Sequence, residues 1–365
     1  MPRSSVKGTT PEVPHEVTAA LVDWFRHGHR DLPWRRTRDP YRIWVSEVML
    51  QQTTSKAVTP YYEAFVERFP TVHSLAEASL DDVLARWSGL GYYSRARHLK
   101  QAAEKIVAEH SGNLPDDVER LRALPGIGEY TAGAVLSIAF GKKEPVLDGN
   151  VGRVLTRLLT LAGDVRKNPL KRLLWGLARA LVPEEGAGDF NQAMMELGAT
   201  ICTPTTPTCA QCPVAVWCMA LRQGEVEKYP TPTARPATEW VRQAVALIER
   251  GQAYFMVRRR QGRLLTDIWE FPGVEIPLEG DPIPPLTAGL KDRLRLHVKV
   301  EGEPATIHHS VMNHRIRLLV YKARLAGGAP EGTDVAWIRP SEIGQYGVGG
   351  SALKILSLVK KKRQR

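Results

Sequence analysis

Four cysteines, Cys202, Cys209, Cys212 and Cys218, stand in the pattern C-x6-C-x2-C-x5-C, and the chain has no others. Thiolates gathered this closely are the soft ligands of zinc and of iron–sulfur clusters. Structural zinc usually draws on two CxxC arms. Here there is one, and the wider gaps suit a single [4Fe–4S] cubane better, with zinc and incidental thiols as the alternatives. Two carboxylates carry a second signal. Glu47 lies in "IWVSEVML", flanked by Val45, Val48 and Met49. Burial there would raise its pKa and make it a proton donor near neutrality; its plain reading is an i,i+4 or capping partner. Asp148 precedes Gly149 and a helical pattern beginning near Asn150. An N-cap is its simplest reading, and the helix field would keep it ionised. One neutral acid and one anion are the pair that glycosidic bond cleavage uses.

A third signal is "LPGIGEYTAGAV", residues 124–135. "DDVERLRAL" before it and "YTAGAVLSIAF" after it read as helices, so Leu124–Gly128 is a tight helix–turn–helix connection. Gly126 and Gly128 permit positive φ and leave the backbone bare. Their N–H groups and the helix start behind them form an anion site that accepts a DNA phosphate without reading sequence. The plain alternative is a glycine C-cap between two helices.

The elements that must hold these residues are helical from residue 15 to about 222. Apolar residues recur at three and four positions in "HEVTAALVDWFRHG", "KAVTPYYEAFVERF", "SLDDVLARWSGLG", "ARHLKQAAEKIVAEH", "NVGRVLTRLLTL" and "LKRLLWGLARAL". Ser79 followed by Asp82 marks a helix start. No strand alternation appears in this half. Residues 1–226 therefore form an all-α domain that contains the cysteine loop, 202–218. The Pro- and Thr-rich "EKYPTPTARPATEW", 227–240, is a linker. Residues 241–365 form a smaller α+β domain. In it "RQAVALIE", a turn at Gly251 and "AYFMVRR" make a hairpin, "RIRLLVYKARL" is a strand, "LTAGLKDRLRLH" a helix, and "SALKILSLVKKKRQR" a basic helix or tail.

Of 365 residues, 50 are Lys or Arg against 39 Asp or Glu, a formal charge of +11, and 43% are hydrophobic. Such a chain can bury real cores and favours a polyanionic partner. No apolar run reaches the ~18 residues of a membrane span, and the N-terminus has no secretory apolar stretch. Few, clustered cysteines point to a reducing compartment. The expected place of action is the cytoplasm, at the bacterial nucleoid.

LPGIG before an apolar helix, then "LDGNV" (147–151), then the cysteine pattern, resembles the helix-hairpin-helix DNA glycosylases with an iron–sulfur loop. "LPWRRTRDPYRIWVSEVMLQQTT" (32–54) and "GLGYYSRARHL" (89–99) are similar to the adenine DNA glycosylases of the MutY type. The resemblance covers the first ~225 residues closely and the remainder more loosely. It implies one [4Fe–4S] cluster per chain on the four cysteines. It also implies excision of adenine from A·8-oxoguanine or A·G in double-stranded DNA by a monomeric enzyme. Glu47 is implied as the acid on the purine's imidazole nitrogen and Asp148 as the group that stabilises or bonds the sugar cation. Asn150 and Tyr130 would orient the sugar and the two acids. Related glycosylase/lyases carry, where Tyr130 stands, a lysine that forms a Schiff base. A phenol cannot, so hydrolysis without programmed strand cleavage is expected. Gln51, Gln52 and Tyr92 match residues that wedge into the helix, Thr53 a DNA contact, and Arg35 and Gln192 the surroundings of the adenine.

"DIWEFPGVEI" (267–276) and "VAWIRPSEI" (335–343) resemble the Nudix fold. The intervening helix has one acid, Asp292, and no glutamate pair for Mg²⁺, so nucleotide hydrolysis is not expected. The family's Phe-Ser-His loop that meets the oxidised base aligns with Met312, Asn313 and His314, with His309 nearby. The aromatic is replaced, which bears on 8-oxoguanine discrimination. An endonuclease III-like glycosylase/lyase for oxidised pyrimidines and a non-catalytic iron–sulfur lesion binder are the alternatives. Tyr130 and the C-terminal domain stand against the first.

Overall fold

The computed structural model describes residues 13–234, 237–260, 266–311, 313–327 and 333–363. Among the described residues twelve α-helices come first: α1 (His15–Gly28), α2 (Pro40–Leu50), α3 (Ser55–Arg68), α4 (Val72–Glu77), α5 (Leu80–Trp87), α6 (Ser94–His110), α7 (Val118–Arg122), α8 (Glu129–Phe140), α9 (Gly149–Leu158), α10 (Leu170–Leu181), α11 (Ala187–Thr200) and α12 (Met219–Arg222). Then follow β1 (Glu239–Arg250), β2 (Ala253–Arg258), β3 (Trp269–Glu270), β4 (Gly273–Ile276), α13 (Ile283–Leu294), β5 (Val298–Val311), β6 (His314–Leu325), β7 (Val335–Ile338) and α14 (Gly350–Arg363). No helix among the described residues is long and apolar enough to cross a membrane.

The contacts divide the chain into two compact units. One comprises residues 1–66, 71–73 and 102–234; the other comprises 67–70, 74–101 and 235–365. In the first, α2 packs on α8, and α11 packs on α1, α8 and α9. Helix α2 starts where Asp39 accepts from the backbone N–H groups of Tyr41 and Arg42, with Pro40 in the first turn. It is buried on nearly every side, from Ile43 through Met49. In the second unit, the sheet order is β3-β2-β1-β6-β5, with β4 on β1 and β7 on β2. Only the β1–β6 pair is parallel among these; the other pairings are antiparallel. Leu286 and Leu290 of α13 cover one face, beside Ala244, Phe255 and Tyr321. Ala352, Ile355 and Leu356 of α14 cover the other, beside Tyr254, Trp269 and Val320. The fold class is as expected, helices followed by a smaller α+β domain, but residues 67–70 and 74–101 group with the C-terminal residues and not with the helical unit.

Three local expectations change. The helix before the glycine turn is only Val118–Arg122, because Asp117 caps it from within the stretch, accepting from Arg120 N. Helix α13 begins at Ile283 and ends before His297, where Arg295 turns left-handed at φ 53°. Of the two glycines, Gly126 takes φ 76°, whereas Gly128 is extended at φ −92° and serves as the N-cap of α8. Position 126 thus needs glycine for its backbone angle. Gly128 is exposed, and a Cβ there would meet nothing within 4 Å.

Candidate active site

Glu47, on α2, is 4% exposed. Its Oε2 accepts from the Tyr130 hydroxyl at 2.6 Å, and that hydroxyl also lies 3.2 Å from Met195 Sδ. Burial pushes the Glu47 carboxyl up to about 7, against the Tyr130 hydrogen bond, and the Asp148 charge raises it further; Arg35 opposes. Burial also holds the Tyr130 phenol far above its usual range, followed by the charges of Glu47 and Asp148. Tyr130 therefore stays a donor at neutral pH. The Asp148 charge acts on both Glu47 and Tyr130, and Tyr130 bonds Glu47, so α2, the start of α8 and the cap of α9 face one site.

Asp148 is the N-cap that its position suggests: Oδ1 accepts from Val151 N at 2.7 Å and Oδ2 from Asn150 Nδ2 at 2.8 Å. Burial raises the Asp148 pKa, and the hydrogen bonds from Val151 and Asn150, with the nearby Arg153, only partly offset that. Desolvation outweighs the helix field. Every one of these neighbours is a donor or a cation, so each favours the anion, and the charge it carries is one cause of Glu47's rise. Asn150 Oδ1 in turn accepts from Arg153, which also donates to the carbonyls of Gly198 and Cys202. Gly198 lets α11 close on Asn150, since a Cβ there would lie 2.5 Å from the Asn150 Cβ.

Most of the other residues singled out by the sequence have partners of their own. Arg35 donates to Glu196 Oε2 at 2.8 Å and lies 5.1 Å from the Phe25 ring centroid. Gln192 is buried, with Nε2 on the Gly188 carbonyl at 3.3 Å. Gln51 Nε2 donates to Thr131 Oγ1 at 3.1 Å, Thr53 Oγ1 to the Gln51 carbonyl, and Gln52 is exposed at φ 57°. In the other unit, Tyr92 is 42% exposed at φ 49° whereas Tyr93 is buried. His309 and His314 share a face of the β5–β6 hairpin, because Val311 pairs with His314 and His309 with Ile316. His314 Nε2 lies 2.9 Å from Glu239 Oε2, and Asn313 Nδ2 donates to the Ala237 carbonyl. Burial, then Lys354, lowers the His309 pKa. Met312 lies outside the described residues.

Glu196 escaped the sequence reading. It is 2% exposed and takes hydrogen bonds from Arg30 at 2.7 and 2.6 Å as well as from Arg35. Burial raises its carboxyl, but the Arg30 and Arg35 hydrogen bonds win and hold it at about 2. Its flanking Met195 and Leu197 are the same signal that marked Glu47. Breaking a buried pair costs about 3–5 kcal/mol, and Arg30 is 42% exposed, so Glu196→Ala should cost near the lower end at pH 7. A depressed pKa gives stability that is complete above the ordinary 4.5 and lost as pH falls towards about 2. Urea unfolding across that window should show the gap to wild type closing; a constant gap would contradict the ion pair.

Cys202, Cys209, Cys212 and Cys218 are free and half-buried. Among the described residues, no group of three or more His, Cys, Asp or Glu side chains is arranged to hold a metal ion. The four sulfurs still act on one another. Burial first, then the other three thiols, pushes Cys212 up to about 11. Arg157 donates to Cys202 Sγ at 3.3 Å, and Cys218 Sγ lies 3.5 Å from the Arg157 carbonyl. A set of soft donors with a guanidinium alongside fits an anionic thiolate-bound group.

The family model of the HhH-GPD superfamily base excision DNA repair proteins matches residues 45–180, and that of the NUDIX domain matches 244–358. The chain is 39% identical over 316 residues to the adenine DNA glycosylase of Homo sapiens, covering 71% of this chain and 58% of that one. Against the adenine DNA glycosylase of Buchnera aphidicola subsp. Acyrthosiphon pisum it is 36% identical over 253 residues, covering 69% and 72%. The chain spans less than two thirds of the length of the human and Arabidopsis thaliana relatives. Among solved structures it is similar to a thermostable thymine-DNA glycosylase, at TM-score 0.52 and 31% identity over 57% of this chain and 97% of that one. Endonuclease III, at TM-score 0.50 and 22% identity over 58% and 99%, shares the fold.

Proposed function

The chain belongs to the adenine DNA glycosylase family, and from that premise we propose that it excises adenine opposite 8-oxoguanine or guanine in duplex DNA. The observation that carries the reading is a buried carboxyl group, bonded to a phenol and pushed up to about 7 by burial and then by a second carboxylate. Because Oε2 already accepts from Tyr130, Oε1 is the atom that carries the proton. Glu47 delivers it to the imidazole nitrogen of the extruded adenine, which turns the base into a neutral leaving group. Asp148, surrounded by donors, faces the positive charge that develops on the sugar. Glu47, now ionised, takes a proton from the water that completes hydrolysis. Asn150 keeps Asp148 aimed, and Tyr130 keeps Glu47 aimed.

Base extrusion costs a few kcal/mol and is least costly at a mismatch. Tyr92 is the candidate to fill the gap in its unit and Gln51 and Gln52 are the candidates in theirs, while Arg35 and Gln192 border the adenine and Thr53 touches the strand. Gly126 and the open Gly128 offer bare backbone N–H groups to a phosphate. The β5–β6 hairpin, with His309, Asn313 and His314, meets the opposite base, as the sequence alignment also expects of Met312. The four cysteines would hold one [4Fe–4S] cluster, which when bound ties the 202–218 loop together; no step of the chemistry passes through it.

Single-turnover assays of adenine opposite 8-oxoguanine, guanine and thymine test the proposal. Excision should be fast for the first two, and strands should break only after alkali. Borohydride should trap no covalent complex, since Tyr130 has no amine. Strand breakage without alkali, together with efficient trapping, would reject hydrolysis in favour of a lyase.

A further inference from the structure

The turn between α5 and α6 carries Tyr92, and it lies in the same compact unit as residues 235–365. Hydrogen bonds to one short backbone segment bracket it on both sides. Ahead of Tyr92, Ser88 Oγ accepts from Val348 N at 2.8 Å and lies 3.4 Å from the Tyr346 carbonyl. Behind it, the Tyr93 hydroxyl donates to the Val348 carbonyl at 2.9 Å and accepts from Gly89 N at 3.2 Å. Between these anchors, Gly347 comes so close that a Cβ would lie 2.5 Å from the Leu84 Cβ. Tyr93 and Val348 are 4% and 0% exposed, so the bond from the phenol to the Val348 carbonyl is shielded from water.

What this clamp holds is a strained residue. A tyrosine at φ 49° sits in the left-handed region, which L-residues with bulky side chains avoid. Such conformations persist where the surroundings over-determine them. The Tyr92 ring is nonetheless 42% exposed, and the Arg95 guanidinium lies 5.3 Å from its centroid and 5.3 Å from that of Trp87. The turn therefore presents an aromatic ring outward on a backbone fixed from behind.

We propose that the Tyr346–Val348 backbone, through Ser88 and Tyr93, is a positioning device that holds Tyr92 ready for base extrusion. The C-terminal domain then contributes to extrusion itself, whichever base stands opposite, in addition to reading that base. This rests on the reading of Tyr92 as the wedge. Tyr93→Phe keeps the buried ring and removes only the hydroxyl. The test uses the full chain in a Glu47→Gln background, with 2-aminopurine replacing adenine opposite 8-oxoguanine or guanine; its fluorescence reports extrusion.

One buried hydrogen bond is worth up to about a tenfold change in such an equilibrium. Tyr93→Phe and Ser88→Ala should each lower extrusion by up to about tenfold opposite both bases, and affinity for a duplex with a stable abasic analogue should be retained. Unchanged extrusion in Tyr93→Phe would overturn the proposal. So would a parallel loss of extrusion and abasic binding, which marks a general folding role. Should Tyr93→Phe fail to fold, the half-buried Ser88→Ala decides by the same two readouts. A Tyr92→Ala arm separates the two claims. If it abolishes the signal while Tyr93→Phe and Ser88→Ala leave it intact, only the clamp falls. If it leaves the signal intact, the wedge reading falls and the clamp with it.

Discussion

Glu47→Gln should lower single-turnover adenine excision by about 10²–10⁴-fold, the contribution of a positioned general acid, while mismatch binding persists. Glutamine keeps the size of the side chain and can still accept the Tyr130 hydroxyl bond through its carbonyl. It removes only the acidic proton. The fold should survive, because no salt bridge is lost and the site around 4% exposed Glu47 keeps its volume. The wild-type enzyme should show the acid's signature in its pH profile. A carboxyl raised by burial is protonated below about 7 and ionised above it. Excision should therefore fall as pH climbs past about 7. Retained turnover in Glu47→Gln, or a rate flat well into alkaline pH, would remove Glu47 from that role.

Asp148→Asn should cost excision about 10²–10³-fold, the range seen when one preorganised electrostatic stabiliser is removed. Asparagine is as good an N-cap as aspartate, so α9 should keep its start through the bond from Val151 N. The thermal midpoint should move little. The charge, however, is gone, and with it one of the causes that raises Glu47. The alkaline limb of the residual activity should therefore shift to lower pH. In the wild type, the acidic limb should lie above the ordinary aspartate value of 3.8, because burial raises Asp148. The two limbs belong to the coupled pair and not to either residue alone. An unchanged alkaline limb in Asp148→Asn would mean that the two carboxylates act on separate events.

Much of this site could be read from residue types at element boundaries. Asp148 before Gly149 announced its cap, and α1 and α10 span the very stretches, His15–Gly28 and Leu170–Leu181, whose apolar period marked them. What was not legible is what distance in sequence hides. Glu196 has partners 166 and 161 residues away, so its charge looked unpaired until the chain folded. The upward shift of Asp148 arises from its burial, which a helix-end argument leaves out. The left-handed Arg295 ends α13 earlier than its apolar pattern suggests. The parallel pairing of β1 with β6 joins residues such as Glu239 and His314 across an intervening helix and several strands, and no local period encodes it. The attachment of residues 74–101 to the C-terminal unit uses the Asp81–Arg258 ion pair, the Arg97 bond to the Thr266 carbonyl and the backbone groups at 346 and 348, all of them partners far away in sequence.

The most direct test is a titration of the Glu47 carboxyl itself, by ¹³C NMR of the glutamate-labelled full chain. Its resonance is identified by its disappearance in Glu47→Gln. A midpoint near 7, falling towards ordinary values in Asp148→Asn, is the expected result. A midpoint at the unperturbed 4.5 in the wild type would mean that Glu47 holds no proton to give at neutral pH.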